Sequence, residues 1–416
     1  MFSHIRAKLA NPIKPSVAVI FYILLIFMSA TSMMASDMYV PSLPAIMKYF
    51  GSTATYVKLT IPVYLVTFAL SQLIYGPLSD RRGRRPIVLL GMSIFFVGSL
   101  VCAAAPSIVF LLLGRFIQGI GAGALISLTR AIVRDVFSGN RIVQASSYIS
   151  LAFGIEPAVS PMIGGYLQDF AGWRMVFIFL LIYTVCSFII VSLFLPETNK
   201  HKNIRATKIR YFLDNYKFLL LNKTFMSYVF IASVSFSGLI AYYTMSPFLL
   251  QTVLHLSPVA YGWITLAVAS VILFSKLVNV ILVRFLLFQW VLRLGTICML
   301  LGGVVTLLLG LLGIHTLTSI VFPIMLYMLG LGMIASNAAS GALLPFSKIA
   351  GVAAAFYGCV QILGLFFVSF IAAHLTETSQ VPLAILLTTL AVLSALCAFL
   401  FIKPSREFIT ASEKGA

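Results

Sequence analysis

Ten acids are spread over 416 residues, and two of them, Asp37 and Glu156, fall inside long apolar runs; the other eight sit at loops, run ends or the tail. An ionised carboxylate at bilayer depth costs at least about 2.5–3.5 kcal/mol and persists only where it meets a cavity or a partner. A desolvated carboxyl can also take up and release a proton near neutral pH. The chemistry open to this pair is therefore reversible protonation away from bulk water, which is the basic requirement of a proton-coupled carrier. A third charge, Arg115, lies in Leu113-Gly114-Arg115-Phe116-Ile117-Gln118-Gly119-Ile120-Gly121-Ala122-Gly123-Ala124. Arginine cannot usefully deprotonate, so it must meet a carboxylate, carbonyls, water or substrate. Gln118 stands one turn away on the same face. Arg115 is expected to face a cavity and act on the acids electrostatically; the alternative is a polar contact locked between helices.

The two acids differ in context. Asp37 sits in Ser36-Asp37-Met38-Tyr39-Val40-Pro41-Ser42-Leu43-Pro44. The run from Val17 reaches it after about 20 residues, or ~30 Å of helix, which would allow an acid wetted at the outer end. A further apolar turn follows Pro41 and Pro44, so the helix is expected to extend past Asp37. Glu156 lies mid-run, in Gly154-Ile155-Glu156-Pro157-Ala158-Val159-Ser160-Pro161-Met162-Ile163-Gly164-Gly165. Gly154, Ala158, Pro161 and Gly165 make a small-residue face for close helix packing. Glu156 points away from that face, towards a central cavity or a polar neighbour. The alternative is a structural acid held neutral by one hydrogen bond.

Such residues need a membrane scaffold. The chain is 61% hydrophobic and 9% charged, against roughly a quarter charged in soluble domains. Its net charge of +18 does not point to nucleic acid, because the basic residues fill short loops between apolar runs rather than one face of a domain. Twelve runs of spanning length are expected near 17–46, 56–78, 86–104, 107–133, 143–168, 173–195, 225–253, 259–284, 290–313, 317–345, 350–375 and 380–402. Arg6, Lys8 and Lys14 ahead of the first run, with the small residues Ala30 and Ala35 further along it, could be read as a cleaved leader. Removing that run would leave an odd helix count and invert every later loop, so it is taken as the first helix.

Arg81, Arg82, Arg84 and Arg85 follow the second run and Arg134 and Arg141 the fourth. Lys200 to Lys223 fill the segment after the sixth, and Lys403, Arg406 and Lys414 the tail; the opposite loops hold only Lys48, Lys58 and Arg174. Both termini are therefore expected in the cytoplasm. The connection 196–224 divides the chain into six-helix bundles at 1–195 and 225–402, with a tail at 403–416. Two such repeats would hold substrate between them at mid-depth. Gly119, Gly121 and Gly123 have an echo in Gly330 and Gly332. The five Cys and five His show no metal-ligand spacing, and no cofactor is expected.

The string Gly76-Pro77-Leu78-Ser79-Asp80-Arg81-Arg82-Gly83-Arg84-Arg85-Pro86 resembles the loop signature of the major facilitator superfamily. The run around Arg115 looks like the Arg-x-x-Gln-Gly-x-Gly motif of its drug exporters. The run around Glu156 is similar to the antiporter motif ending Gly-Pro-x-x-Gly-Gly, with Ser160 in place of the first Gly and Pro161, Gly164 and Gly165 matching. Asp37, Tyr39, Pro41 and Pro44 resemble the family's Asp-x-Tyr-x-Pro-x-x-Pro. The string from Arg130 to Asp135, with Asn337 and Ala350-Gly351, looks like the bicyclomycin-resistance (Bcr/CflA) type.

The resemblance implies an all-α, twelve-helix proton:drug antiporter of the bacterial inner membrane, working by alternating access. It implies that Asp80 caps the eleventh helix, that Arg84 pairs with Asp135, and that Gly76, Asp80, Arg81, Gly83, Arg84, Arg85, Arg134 and Asp135 form a conformational gate. Asp37 would titrate. A second family acid two turns earlier is Ser29 here, so Glu156 is the candidate for the second proton-coupling site. Asp37, Tyr39, Arg115, Gln118, Glu156, Met33 and Met34 are expected to line the substrate cavity, with Met28 in the same adaptable wall. Pro157, Pro161, Gly164 and Gly165 carry the antiporter motif. Expected partners are a small organic substrate, protons and lipid, with a monomeric assembly. A dedicated exporter of one metabolite, such as a siderophore or amino-acid derivative, fits the same residues. A channel or membrane enzyme is a further class, for which the sequence offers no Walker loop, His-Glu-x-x-His string or Gly-x-Ser-x-Gly elbow.

Overall fold

The computed structural model describes residues 15–199 and 216–403. Arg6, Lys8 and Lys14, the middle of the 196–224 connection, and the tail cations Arg406 and Lys414 lie outside the described residues. Apolar runs in lipid must satisfy every backbone N–H within the segment, and the helix does so. Among the described residues twelve helices of 20 residues or more follow one another: α1 (Pro15–Asp37), α2 (Thr60–Arg82), α3 (Arg84–Ala103), α4 (Ile108–Val136), α5 (Asn140–Ala171), α6 (Trp173–Phe194), α7 (Lys223–Pro247), α8 (Pro258–Leu282), α9 (Phe288–Leu311), α10 (Leu317–Leu343), α11 (Ala350–His374) and α12 (Val381–Leu400). Eleven are long and apolar enough to cross a bilayer. α5 stands outside that set although it has 32 residues, because Glu156 and the interleaved Gly, Ser and Pro dilute its apolar character. The protein is a multi-pass membrane protein.

The first span is not one continuous helix. α1 ends at Asp37, and the chain runs on through a 3-10 turn at Val40–Ser42 and a short helix at Leu43–Phe50. The apolar span as a whole is Ala18–Phe50. Pro41 and Pro44 lack the N–H that a continuing helix would bond, and each constrains the residue before it. Asp37 therefore sits at a break inside the span. α2, expected to stop near residue 78, instead carries Pro77 within it and ends at Arg82, where Gly83 adopts φ +110° and starts α3.

The described residues form two compact units: α1–α6 with Ser257–Trp263 in one, and α7 with the rest of α8–α12 in the other. In the first unit α4 packs against α2 and α3, α3 against α6, and α1 against α4, α5 and α6. In the second, α10 packs against α9 and α7, α9 against α12, and α7 against α11 and α12. The pairing recurs six helices on. Small residues let it happen: Gly119 and Gly123 lie against the α2 backbone and Gly121 against Gly91 and Phe95 of α3. In the second unit Gly330 lies against Gly295 and Met299 of α9, and Gly332 against Ile272 and Ser275 of α8, whose hydroxyl donates to the Leu329 carbonyl. Met28 belongs to the apolar core of the first unit with Leu24, Val88 and Leu125, and is fully buried. It is a packing residue rather than part of an adaptable ligand wall.

Any Cβ at Gly121 would run into the backbone of Phe95 and Gly91. Gly121→Leu is expected to cost roughly 1–3 kcal/mol by overpacking, read as a lower melting temperature of the detergent-solubilised protein.

Candidate functional site

Arg115 occupies the interior of the first unit and is 0% exposed. Its guanidinium carbon lies 4.2 Å from the centroid of the Tyr39 ring and 4.3 Å from that of Tyr64. Nη1 donates to the Ala35 carbonyl at 2.7 Å and to Gln118 Oε1 at 2.6 Å, and Nε donates to the Thr60 carbonyl at 3.4 Å. Gln118 Nε2 in turn donates to Ser99 Oγ at 2.8 Å. The Tyr39 hydroxyl and Thr60 Oγ1 share a hydrogen bond of 3.0 Å. One side chain on α4 therefore ties the end of α1 to the start of α2, and through Gln118 to α3. Two aromatic faces around a desolvated cation contribute about 2 kcal/mol or more apiece. The expected opening of Arg115 onto a cavity is absent, because Tyr39 and Tyr64 close over it; Arg115 acts on Asp37 through its charge.

Asp37 is 7% exposed and bonds the Ser36 side chain. Met34 is buried beside it in sequence and Met33 is half-buried. Glu156 on α5 is 8% exposed. Ser160 Oγ donates to its Oε1 at 2.6 Å, and its Oε2 has no hydrogen-bond partner. The charges of Asp37 and Glu156 act on one another. The first unit thus gathers Asp37, Tyr39, Arg115, Gln118 and Glu156 into one electrostatic neighbourhood, although they come from three separate helices and a turn. Pro157 and Pro161 lie within α5. Gly164 sits against the Met38 carbonyl, one residue past Asp37, and Gly165 against Pro258 and Val259 of the same unit.

A second cluster joins the ends of α2, α3 and α4. Arg84 Nε donates to Asp135 Oδ2 at 2.8 Å, its Nη1 pairs with Asp80 at 2.6 Å, and it also donates to Ser79 Oγ at 2.6 Å. The residues just after α6 close over this group. Glu197 Oε1 accepts from the backbone N–H of Arg84 at 2.8 Å and of Asn199 at 2.9 Å. Thr198 Oγ1 donates to Asp135 Oδ2 at 3.3 Å, and Asn199 Nδ2 to the carbonyls of Ser79 and Asp80 at 3.3 and 3.0 Å. A carboxylate at the N-terminus of α3 is favoured by the helix dipole. Gly83 is required twice over: its φ lies in the left-handed region, and the Glu197 carboxylate occupies the place of a Cβ. Arg85 donates to the Ser192 carbonyl at 2.7 Å, while Arg81, Arg82 and Arg134 are exposed and Gly76 half-buried, with open space where its Cβ would be.

A sequence-family comparison matches residues 25–367 to the Major Facilitator Superfamily. The chain belongs to that superfamily. Members carry small-molecule substrates. This transporter is 30% identical to multidrug resistance protein D of Escherichia coli (strain K12), over 90% of this chain and 94% of that protein. It is 28% identical to a bicyclomycin resistance protein homolog of Haemophilus influenzae, over 78% of this chain and 81% of that one. Its fold is that of the D-xylose-proton symporter crystal structure, with a TM-score of 0.73 at 15% identity over 92% of this chain and 98% of that one.

Sequence reasoning missed Glu197, Thr198 and Asn199 as parts of the loop cluster, and Tyr64 as the second face over Arg115. Glu197 carried a signal: it is an acid directly after a proline, in a segment rich in Lys and Arg whose one other acid is Asp214. Tyr64 carried none, since a tyrosine in an apolar run is ordinary.

Two outcomes follow from these contacts. Arg115→Lys keeps the charge but loses the fork and the flat stacking surface; it is expected to lower the detergent melting temperature by roughly 5 °C, measured by differential scanning fluorimetry. Glu197→Ala frees the N-terminus of α3 at a cost of about 1 kcal/mol. Trypsin should then cut after Arg81 or Arg82 about fivefold faster, measured as loss of intact chain on a gel.

Proposed function

We propose that this transporter is a proton-coupled antiporter that exports amphipathic drugs or similar small organic molecules by alternating access. The observation that carries the reading is the pair of buried carboxylates, Asp37 and Glu156, within reach of each other's charge and set in apolar spans beside a buried Arg115. Carboxylates are kept at such depth where they exchange protons or meet a charged ligand. The names of the relatives, a multidrug resistance protein and a chloramphenicol resistance protein of Pseudomonas aeruginosa among them, support drug export as the direction of transport.

Asp37 is the principal proton carrier in this reading. It sits at the helix break that Pro41 and Pro44 impose, next to Tyr39 and under the charge of Arg115. Protonation releases substrate outward, and deprotonation towards the cytoplasm restores affinity. Arg84, Asp80 and Asp135, with Gly76, Gly83 and the neighbouring arginines, serve as the gate on the cytoplasmic side. The working protein is a monomer in the bacterial inner membrane with both termini in the cytoplasm, and its halves are 1–195 and 225–402, joined by the basic segment 196–224. The loop bias in Lys and Arg supports that orientation.

The test is efflux from proteoliposomes under an imposed pH gradient. Asp37→Asn is expected to abolish gradient-driven efflux of a drug while the protein still inserts and elutes as a single species. Gradient-driven efflux at the wild-type rate in that variant would remove Asp37 from the mechanism. Competition among unrelated drugs for the same efflux is expected; its absence would indicate a dedicated metabolite exporter.

A further inference from the structure

Three large apolar side chains are exposed just ahead of α7, beyond the length of chain that crosses the bilayer. Residues 216–221 form a short helix, and α7 begins at Lys223. Asn222 between them has extended backbone (φ −79°, ψ 106°), and its side chain accepts the N–H of Phe225 at 2.9 Å, so α7 starts afresh there. The apolar span from Lys223 to Val253 has 31 residues, or about 46 Å of helix, which exceeds the ~30 Å of hydrocarbon. The helix 216–221 is therefore not needed for crossing. Yet Phe218, Leu220 and Leu221 are 57%, 55% and 69% exposed. Facing water, they would forgo the burial that drives apolar groups together.

The other side of the short helix is fastened to the second unit. Leu219 is fully buried. The Tyr216 ring stacks on Phe356 of α11, with centroids 5.1 Å apart and planes 20° from parallel. Phe218 meets Phe346 edge to face at 6.0 Å, and Phe225 of α7 packs against Phe346 at 5.4 Å and Phe356 at 6.2 Å. Phe346 belongs to the connection Leu344–Ile349 between α10 and α11. The helix is thus anchored on one face and open on the other.

The charges around the open face share one sign. Lys217 is exposed on it, and Lys223 is exposed at the start of α7, whose first turn holds no acid. The positive end of the α7 dipole adds to them. Over 200–223 seven Lys and Arg stand against one acid, Asp214. A short helix with an apolar face and lysines that reach past it suits the boundary between acyl chains and headgroups. The charge selects anionic headgroups.

We propose that the helix 216–221 is a lipid-seated clamp: Phe218, Leu220 and Leu221 enter the cytoplasmic leaflet, Lys217 and Lys223 bind the phosphates of anionic phospholipids, and Tyr216 and Phe218 tie that seat to α11 and the α10–α11 connection. The leaflet follows from the orientation proposed above; the seat itself needs neither the proton nor the drug chemistry.

The experiment is hydrogen exchange, read by mass spectrometry, on the full chain in nanodiscs of phosphatidylcholine alone and of phosphatidylcholine mixed with phosphatidylglycerol. The amides of 220–222 are expected to exchange about tenfold slower in the mixed bilayer, since each lysine at an anionic surface contributes roughly fivefold. Lys217→Gln combined with Lys223→Gln should erase the difference between bilayers. Leu220→Ser combined with Leu221→Ser should speed exchange over 220–222 about tenfold in both bilayers, while α7 beyond Tyr228 keeps its wild-type protection. Equal wild-type exchange in the two bilayers overturns the recognition of anionic lipid, with no variant required. Exchange unchanged by the leucine substitutions overturns the seat. A nanodisc does not distinguish its two faces and carries no gradient, so an error in the orientation or in the antiporter reading would not imitate either failure.

Discussion

A guanidinium cannot shed its charge on entering lipid, and the interior of the first unit is arranged around that fact. Arg115 is enclosed by two tyrosine faces and donates through Nε and Nη1 to the carbonyls of Thr60 and Ala35 and to Gln118, while Nη2 is buried without a hydrogen-bond partner. Those contacts reach α1, α2 and, through Ser99, α3. The end of α1 is held where the Ala35 carbonyl is held, and Asp37 is two residues further on. The acid therefore owes its position to a cation it need not touch, and the same cation offsets its charge. A lysine would satisfy the electrostatics but could neither bond several acceptors in one plane nor stack between rings.

The second unit makes the point by contrast. Gly330 and Gly332 pack α10 against α9 and α8 as Gly121 and Gly123 pack α4 against α3 and α2. Gly302 approaches Tyr327 as Gly98 approaches Gln118. Yet three residues before Tyr327 stands Ile324, where the first unit has Arg115. The packing device is common to both units and the charged centre is not. Packing and chemistry are separable layers here: close helix approach needs only small residues at the right spacing, whereas a charge needs polar or aromatic partners before it can be buried.

At the ends of α2, α3 and α4, Arg84 joins Asp80 and Asp135, and the segment after α6 closes the group through Glu197, Thr198 and Asn199. Gly83 makes this closure compact, because a side chain there would displace the Glu197 carboxylate. The arginines were conspicuous in sequence. The residues that hold them were not, since Glu197 is separated from Arg84 by four helices and only the return of the chain after α6 brings it back.

Solvation by lipid is a property of each run taken alone, so the number of long helices, their rough ends and the presence of expensive charges at Asp37, Arg115 and Glu156 were all readable from residue order. The local pair of Glu156 and Ser160 lay within reach too, being one helical turn apart. Residue order did not reveal that α1 stops at Asp37 instead of passing it, that Met28 is core, or that Arg115 is sealed between Tyr39 and Tyr64. Each of those outcomes depends on groups from different helices meeting in three dimensions, and neither apolar periodicity nor loop charge records which rings or carbonyls will converge on a buried charge.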